Sequence, residues 1–136
     1  MCSDCLRHPR VLVADDDPII RRTIELILRH RGYRVLTAGD GAEALVRIAE
    51  DSPDILVLDL LMPVLNGWEV MQRLRDSGIE IPVVIASSVD QTIACIEAPG
   101  GAAYLTKPFR PGDLVNAVSQ AVACAASRQP CHAPAA

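Results

Sequence analysis

Apolar residues change period along this chain, and each change marks an element. Val11 to Ala14 is an unbroken apolar run, the pattern of a strand covered on both faces, and it stops at Asp15-Asp16-Asp17. The spacing then turns helical. Ile19, Ile20, Ile24, Ile27 and Leu28 recur on one side as far as Gly32, with Asp17 placed as N-cap and Pro18 at the first helical position. Tyr33 to Ala38 predicts a second strand, and Gly39-Asp40-Gly41 turns the chain. Ala44, Leu45, Ile48 and Ala49 mark a helix closed by Ser52-Pro53. Ile55 to Leu58 predicts a third strand, ending at Asp59. Pro63 and Asn66-Gly67 then break regular structure before a helix built on Trp68, Val70, Met71 and Leu74. Trp68 and Met71 read as packing residues.

The second half repeats the alternation with weaker signals. Val83 to Ala86 predicts a strand opened by Pro82 and followed by Ser87-Ser88. A fourth helix around residues 91–98 rests on Ile93 and Ile96 alone, and Pro99-Gly100-Gly101 ends it. Ala103 to Thr106 is a short strand that delivers Lys107-Pro108. Leu114, Val115, Val118, Ala121 and Val122 place the last helix over 111–126.

Five alternating βα units predict an α/β fold with a five-stranded parallel sheet, right-handed crossovers and helices on both faces. One domain is expected over 10–126, with a flexible lead over 1–9 and a Pro/Ala-rich, disordered tail over 127–136. In such a sheet the carboxyl ends of all strands lie on one edge, where open α/β folds bind ligands. Asp15, Asp16, Asp59, Ser87 and Lys107 all fall there.

Charge narrows the function classes. Over 136 residues the net charge is −4, which argues against a general nucleic-acid binder. Basic residues nevertheless concentrate at Arg21, Arg22, Arg29, His30, Arg31 and Arg34, either as a solvated helix face or as a docking patch. No apolar stretch is long enough for a signal peptide or a membrane span, and the five cysteines are an odd number. A reduced, cytoplasmic protein without a membrane partner is expected.

Three carboxylates gathered at one strand edge repel one another by about 4 kcal/mol per pair at 4 Å and a moderate effective dielectric. A divalent cation would remove that cost. An all-oxygen set without histidine or cysteine suits Mg2+, with Mn2+ as a substitute, and Mg2+ favours phosphate oxygens. Lys107 supplies a point charge suited to phosphate, and the Ser87 hydroxyl can donate to a phosphoryl oxygen. With no Ser, Cys or His placed as nucleophile, Asp59 is the natural acceptor and would form an acyl phosphate.

Taken together, these residues resemble the receiver domain of bacterial response regulators, related to the stand-alone chemotaxis regulator. The matching pieces are Val11-Leu-Val-Ala-Asp15-Asp16-Asp17-Pro18, Asp59-Leu-Leu-Met-Pro63 followed by Gly67, Pro82-Val-Val-Ile-Ala-Ser87 and Tyr104-Leu-Thr-Lys107-Pro108-Phe109. The resemblance covers about residues 10 to 125. It implies a flavodoxin-like doubly wound sheet with strand order 2-1-3-4-5, a signalling switch rather than an enzyme acting on other molecules, and phosphorylation of Asp59 by a histidine kinase or a histidine phosphotransfer protein. It further implies that Asp16, Asp59 and the Leu61 backbone carbonyl bind Mg2+ directly, with Asp15 acting through water. Ser87 and Tyr104 would be a switch pair, and Lys107 would bridge to the phosphoryl group.

There are departures. Serine stands where the family more often has threonine at position 87, and Ser88 where alanine is usual. The stretch from Ser87 to Gly100 is about two residues short, so a shortened or distorted fourth helix is expected in the region the family uses for output. That leaves the downstream protein partner undefined. Two other readings are a degenerate receiver acting as a phosphorylation-independent interaction module, and a flavin or nucleotide carrier on the same fold. The second lacks a glycine-rich phosphate loop after any strand.

Two further expectations concern single positions. Leu61 and Val89, two residues after Asp59 and Ser87, flank the approach of a hydrolytic water and offer it no hydrogen bond, which predicts a long-lived phosphorylated form. Both ends of the domain leave from the same end of the sheet, so Cys2, Cys5, Cys131 and His132 could meet as a zinc site. The plainer reading is incidental thiols on loose ends.

Overall fold

The computed structural model describes residues 9–97 and 100–128. Its five strands are β1 (Arg10–Ala14), β2 (Arg34–Ala38), β3 (Ile55–Leu58), β4 (Val83–Ser87) and β5 (Ala103–Thr106). They pair in parallel in the order β2-β1-β3-β4-β5. Between them run α1 (Pro18–His30), α2 (Gly41–Asp51), α3 (Gly67–Asp76) and α4 (Gln91–Glu97), and α5 (Pro111–Arg128) closes the fold. The predicted α/β architecture is observed, with helices on both faces.

Side chains alternate across the sheet with period two, and that alternation separates two cores. Leu12, Leu56, Leu58 and Ile85 point to the face covered by α2, α3 and α4, where they meet Ala44, Ile48, Val70, Met71, Leu74 and Ala94. Val11, Val13, Ile55, Val57 and Val84 point to the other face, covered by Ile24 and Leu28 of α1 and by Leu114, Ala117, Val118 and Ala121 of α5. The central strand β3 is therefore buried at every position.

Caps set the helix starts. Asp17 accepts from the backbone N–H groups of Ile19 and Ile20 at the start of α1, with Pro18 first in the helix. Asp40 caps α2 through the Glu43 N–H. Asn66 and Glu69 form a reciprocal capping box at α3, so Asn66-Gly67 is the start of the helix as well as the end of the loop.

Three expectations need correction. Ile93 and Ile96 do not anchor α4: they are 49% and 73% exposed, and Ala94 is the residue that packs on the core. A seven-residue helix offers one inward face, and the smallest apolar side chain lies on it. The last helix continues to Arg128, two residues past the expected end at Ala126. The second strand starts at Arg34 rather than Tyr33, whose N–H instead closes the end of α1 on the Leu28 carbonyl. Cys2, Cys5, Cys131 and His132 lie outside the described residues, as do nearly all of the expected lead and tail. Among the described residues no helix is long and apolar enough to cross a membrane.

Candidate functional site

The sheet's hydrogen-bond ladder extends one residue past three strands and so fixes the backbone of three charged residues. The Asp15 N–H donates to the Ala38 carbonyl (3.1 Å), Asp59 N–H to Ala14 (3.0 Å) and Lys107 N–H to Ser87 (2.8 Å). Asp15 and Asp59 leave adjacent strands, β1 and β3, at the point where the strand order reverses direction. That is the crevice in which doubly wound sheets bind ligands.

The side chains converge there. Carboxylate oxygens of Asp15, Asp16 and Asp59 all lie within 4.8 Å of one another. Lys107 reaches in from the end of β5, with Nζ 2.6 Å from Asp15 Oδ2 and 3.3 Å from Asp59 Oδ2. Asp15 and Asp59 are 2% and 5% exposed, whereas Asp16 faces solvent. Local bonds hold the acids in place. The Asp17 N–H donates to Asp15 Oδ1 (2.9 Å), and the Leu61 N–H donates to Asp59 Oδ1 (3.2 Å).

Burial raises the pKa of the Asp59 carboxyl above the ordinary aspartate value. The Lys107 charge opposes this and the neighbouring Asp15 adds to it, but loss of water dominates. Lys107 is itself held above the usual lysine value: burial disfavours its charge, and the bonds to Asp15 and Asp59 more than compensate. The directions agree with the distances. Lys107 makes its shorter bond to Asp15, which leaves Asp59 incompletely neutralised.

Ser87 is fully buried at the end of β4, and its Oγ accepts from the Val89 N–H (3.3 Å). Tyr104 pairs with Ile85 across β4 and β5, packs against the core beneath α4, and its hydroxyl accepts from the Gly101 N–H (2.9 Å). Leu61 is half exposed beside Asp59, while Val89 packs on the core edge.

The loop from Asp59 to Asn66 is held by a close approach and carries strain. A Cβ on Gly67 would lie 2.5 Å from the Asp59 carbonyl oxygen and 2.7 Å from Leu60 Cα, so only glycine lets α3 start this near the end of β3. The Leu65 N–H bonds back to the Pro63 carbonyl (2.7 Å) around Val64, which sits at φ 68°. This is a γ-turn with a β-branched residue in left-handed space, a strained combination.

Sequence reasoning missed Arg21. Its Nη1 donates to the Asp15 backbone carbonyl (2.8 Å), which ties α1 to the acidic edge. The expected basic patch is thereby divided: Arg21 serves the site, Arg22 and Arg29 pair with Glu25, and Arg34 lies at the opposite end of the sheet. No sequence signal distinguished Arg21 from its basic neighbours.

The donor set fits a hard divalent cation, because three carboxylates crowd together and a lysine ammonium already lies between two of them. Comparison with known proteins agrees. The family model described as response regulator receiver domain matches residues 11–119. The transcriptional regulatory protein PrrA of Mycobacterium tuberculosis is 47% identical over 113 residues, covering 81% of this chain and 48% of PrrA. The chain spans about half the length of the curated relatives it matches. Among solved structures, a Francisella response regulator receiver domain is similar at a TM-score of 0.79 with 36% identity, covering 86% of this chain and 99% of that one. The response regulator TrrA of Thermotoga maritima, in complex with Mg2+ and BeF, is similar at a TM-score of 0.76 with 27% identity, covering 83% of this chain and 98% of TrrA.

Proposed function

The chain belongs to the response regulator receiver domain family, and from that premise we propose that it is a phosphorylation-dependent switch whose acceptor is Asp59. The observation that carries this reading is the convergence of Asp15, Asp16, Asp59 and Lys107 on one crevice at the β1/β3 reversal. A degenerate module would have no need to gather these like charges.

In this reading the donor is the phosphohistidine of a histidine kinase or a phosphotransfer protein. An Asp59 carboxylate oxygen attacks phosphorus, the P–N bond breaks as the O–P bond forms, and the imidazole leaves. Asp59 remains as an acyl phosphate. Asp16, Asp59 and the Leu61 carbonyl would hold Mg2+, or Mn2+ in its place, with Asp15 acting through water; bound there, the ion would neutralise charge on the phosphoryl oxygens. Lys107 supplies a cation that can leave Asp59 for the phosphoryl group while keeping its backbone anchor on Ser87. The Ser87 hydroxyl has a weak bond to give up, the 3.3 Å contact with Val89, and can turn to a phosphoryl oxygen. Tyr104, over β5, would follow and change the surface of α4, β5 and α5 that a downstream protein reads.

Asp59→Asn should abolish acid-labile phosphate incorporation from a phosphohistidine donor, and chelation of divalent cations should do the same. Full labelling of the asparagine variant sinks the assignment. Leu61 and Val89 favour a long-lived product, since a water entering without a polar partner is disfavoured by about 1–3 kcal/mol. The double variant Leu61→Asn/Val89→Glu should therefore lose phosphate roughly 5- to 150-fold faster. Equal lifetimes in saturating Mg2+ would show that these two side chains do not control water access.

A further inference from the structure

The opposite edge of the sheet, where the strands begin, holds a second charged cluster that phosphoryl transfer does not use. Arg10 and Arg34 are register partners on β1 and β2. Among the described residues neither guanidinium has an ion-pair or hydrogen-bond partner; the bonds of these two residues are made by their backbones, the Arg10 N–H on the Asp54 carboxylate and the Arg34 N–H on the Pro9 carbonyl. Like charges directly opposite on paired strands are unfavourable unless an anion joins them.

Together with Arg29, Tyr33 and Leu36, these residues line a cleft of about 470 Å³ where β1 and β2 begin. Arg29 reaches over that edge, with Nη2 on the Val35 carbonyl (3.2 Å). The volume lies in the range of small-molecule sites. The two uncommitted guanidiniums, Arg10 and Arg34, suit adjacent phosphates, each able to give two N–H bonds from one fork, while Arg29, held by Glu25 and the Val35 carbonyl, adds positive charge to the wall. Tyr33, which also packs against the core on the α1 and α5 face, is the one aromatic residue lining the cleft and the partner available to a planar base.

We propose that the Arg10–Arg29–Tyr33–Arg34 cleft binds a small ligand with a pyrophosphate unit and a planar base, that is, a nucleoside di- or triphosphate. Its place at the start of β1 puts it a strand's length from Asp15, roughly 16 Å at 3.3 Å per residue. Binding there neither occupies nor requires the acidic edge. A bounded cleft on a chain of net charge −4 favours this ligand over a nucleic-acid backbone, which needs a continuous basic track.

Titration calorimetry on the full chain tests the site, in EDTA so that no divalent cation can carry phosphate to the acidic edge. ADP should bind at one site per chain with a dissociation constant below ~1 mM, and pyrophosphate more weakly. Arg10→Ala and Arg34→Ala should each weaken both ligands by about 10-fold without lowering the melting temperature. Tyr33→Leu should reduce ADP to the affinity of pyrophosphate and leave pyrophosphate unchanged. Four outcomes overturn the proposal: no saturable binding, binding indifferent to both arginine changes, sulfate competing as well as pyrophosphate (an adventitious ion only), or a DNA duplex or acidic peptide binding where pyrophosphate does not.

Discussion

Strands β3 and β5 are both four residues long and both deliver a working side chain to the same edge, yet they are buried differently. Every residue of β3 is buried between two layers of helices, whereas every residue of β5 is only half-buried. The helix leading into β5 is the seven-residue α4, with Ile93 and Ile96 in solvent. Asp59, the proposed acceptor, therefore stands on a part of the molecule with much to lose by moving. Lys107 and Tyr104 stand on the part with least. The proposed switch would need this division: geometry for chemistry on one side, and a small free-energy gap between arrangements on the other.

Hydrogen exchange sharpens the contrast most directly. Amides of β3 should exchange at least ~100-fold more slowly than those of β5, since the buried strand opens only with the whole domain. Equal protection would remove the distinction.

Glycine substitutions should separate the halves next. In Gly67→Ala the new methyl meets the backbone of Asp59 and Leu60, which cannot yield, so a loss of about 3 kcal/mol in denaturant unfolding is expected. In Gly101→Ala the methyl would lie 2.8 Å from Tyr104 Cζ and 3.0 Å from its hydroxyl, at the far end of a side chain that can swing out. About 1 kcal/mol is expected there, with a displaced Tyr104 ring visible by NMR. Equal costs would mean that β5 is as rigid as β3.

The pH dependence follows from Asp59. Its pKa is raised in the folded state, so folding favours the protonated form at low pH. That contribution is lost as pH climbs from the unfolded value, about 3.9, through the folded one. Above that range the chain carries a desolvated charge. Without divalent cations Asp59→Asn should accordingly melt a few degrees higher than the parent at pH 7, and the gap should close toward pH 4. A gap that widens on acidification would reverse the sign of this argument.

The smallest effect is expected at Val64. Its side chain is 78% exposed and contributes little packing, while its φ of 68° is unfavourable for a β-branched residue. Val64→Gly should relieve strain by more than it adds in unfolded-state entropy, a net gain of about 0.5–1 kcal/mol. A loss of stability would show that the side chain makes a contact worth more than the strain.

The contrast between the halves also decided how much was legible in the sequence. The β1 to β3 region was read nearly residue by residue, because apolar runs, Asp17 before Pro18, the glycines on either side of β2 and Ser52-Pro53 all pointed the same way. The weakest reading was α4. Ile93 and Ile96 are the natural anchors by hydrophobicity, but in so short a helix the position of the chain entering from Ser87 selects the inward face, and it selects Ala94. The acidic cluster was legible because strand ends in a parallel sheet must share an edge. The Arg21 contact with the Asp15 carbonyl was not, since a long flexible side chain reaching a backbone atom leaves no periodic trace. Nor could the pattern reveal the approach of Gly67 to Asp59, which depends on the three-dimensional path of the loop.

Lys107 makes the resting crevice its own electrolyte. A tethered ammonium between two buried carboxylates acts as an intramolecular rival to any ion arriving from solution, present at the effective concentration its short leash imposes. Any cation bound there as proposed would have to displace it, so the acidic edge would hold metal less tightly than its carboxylates alone. In the proposed phosphorylated form the rival would acquire a new anion of its own and become an ally.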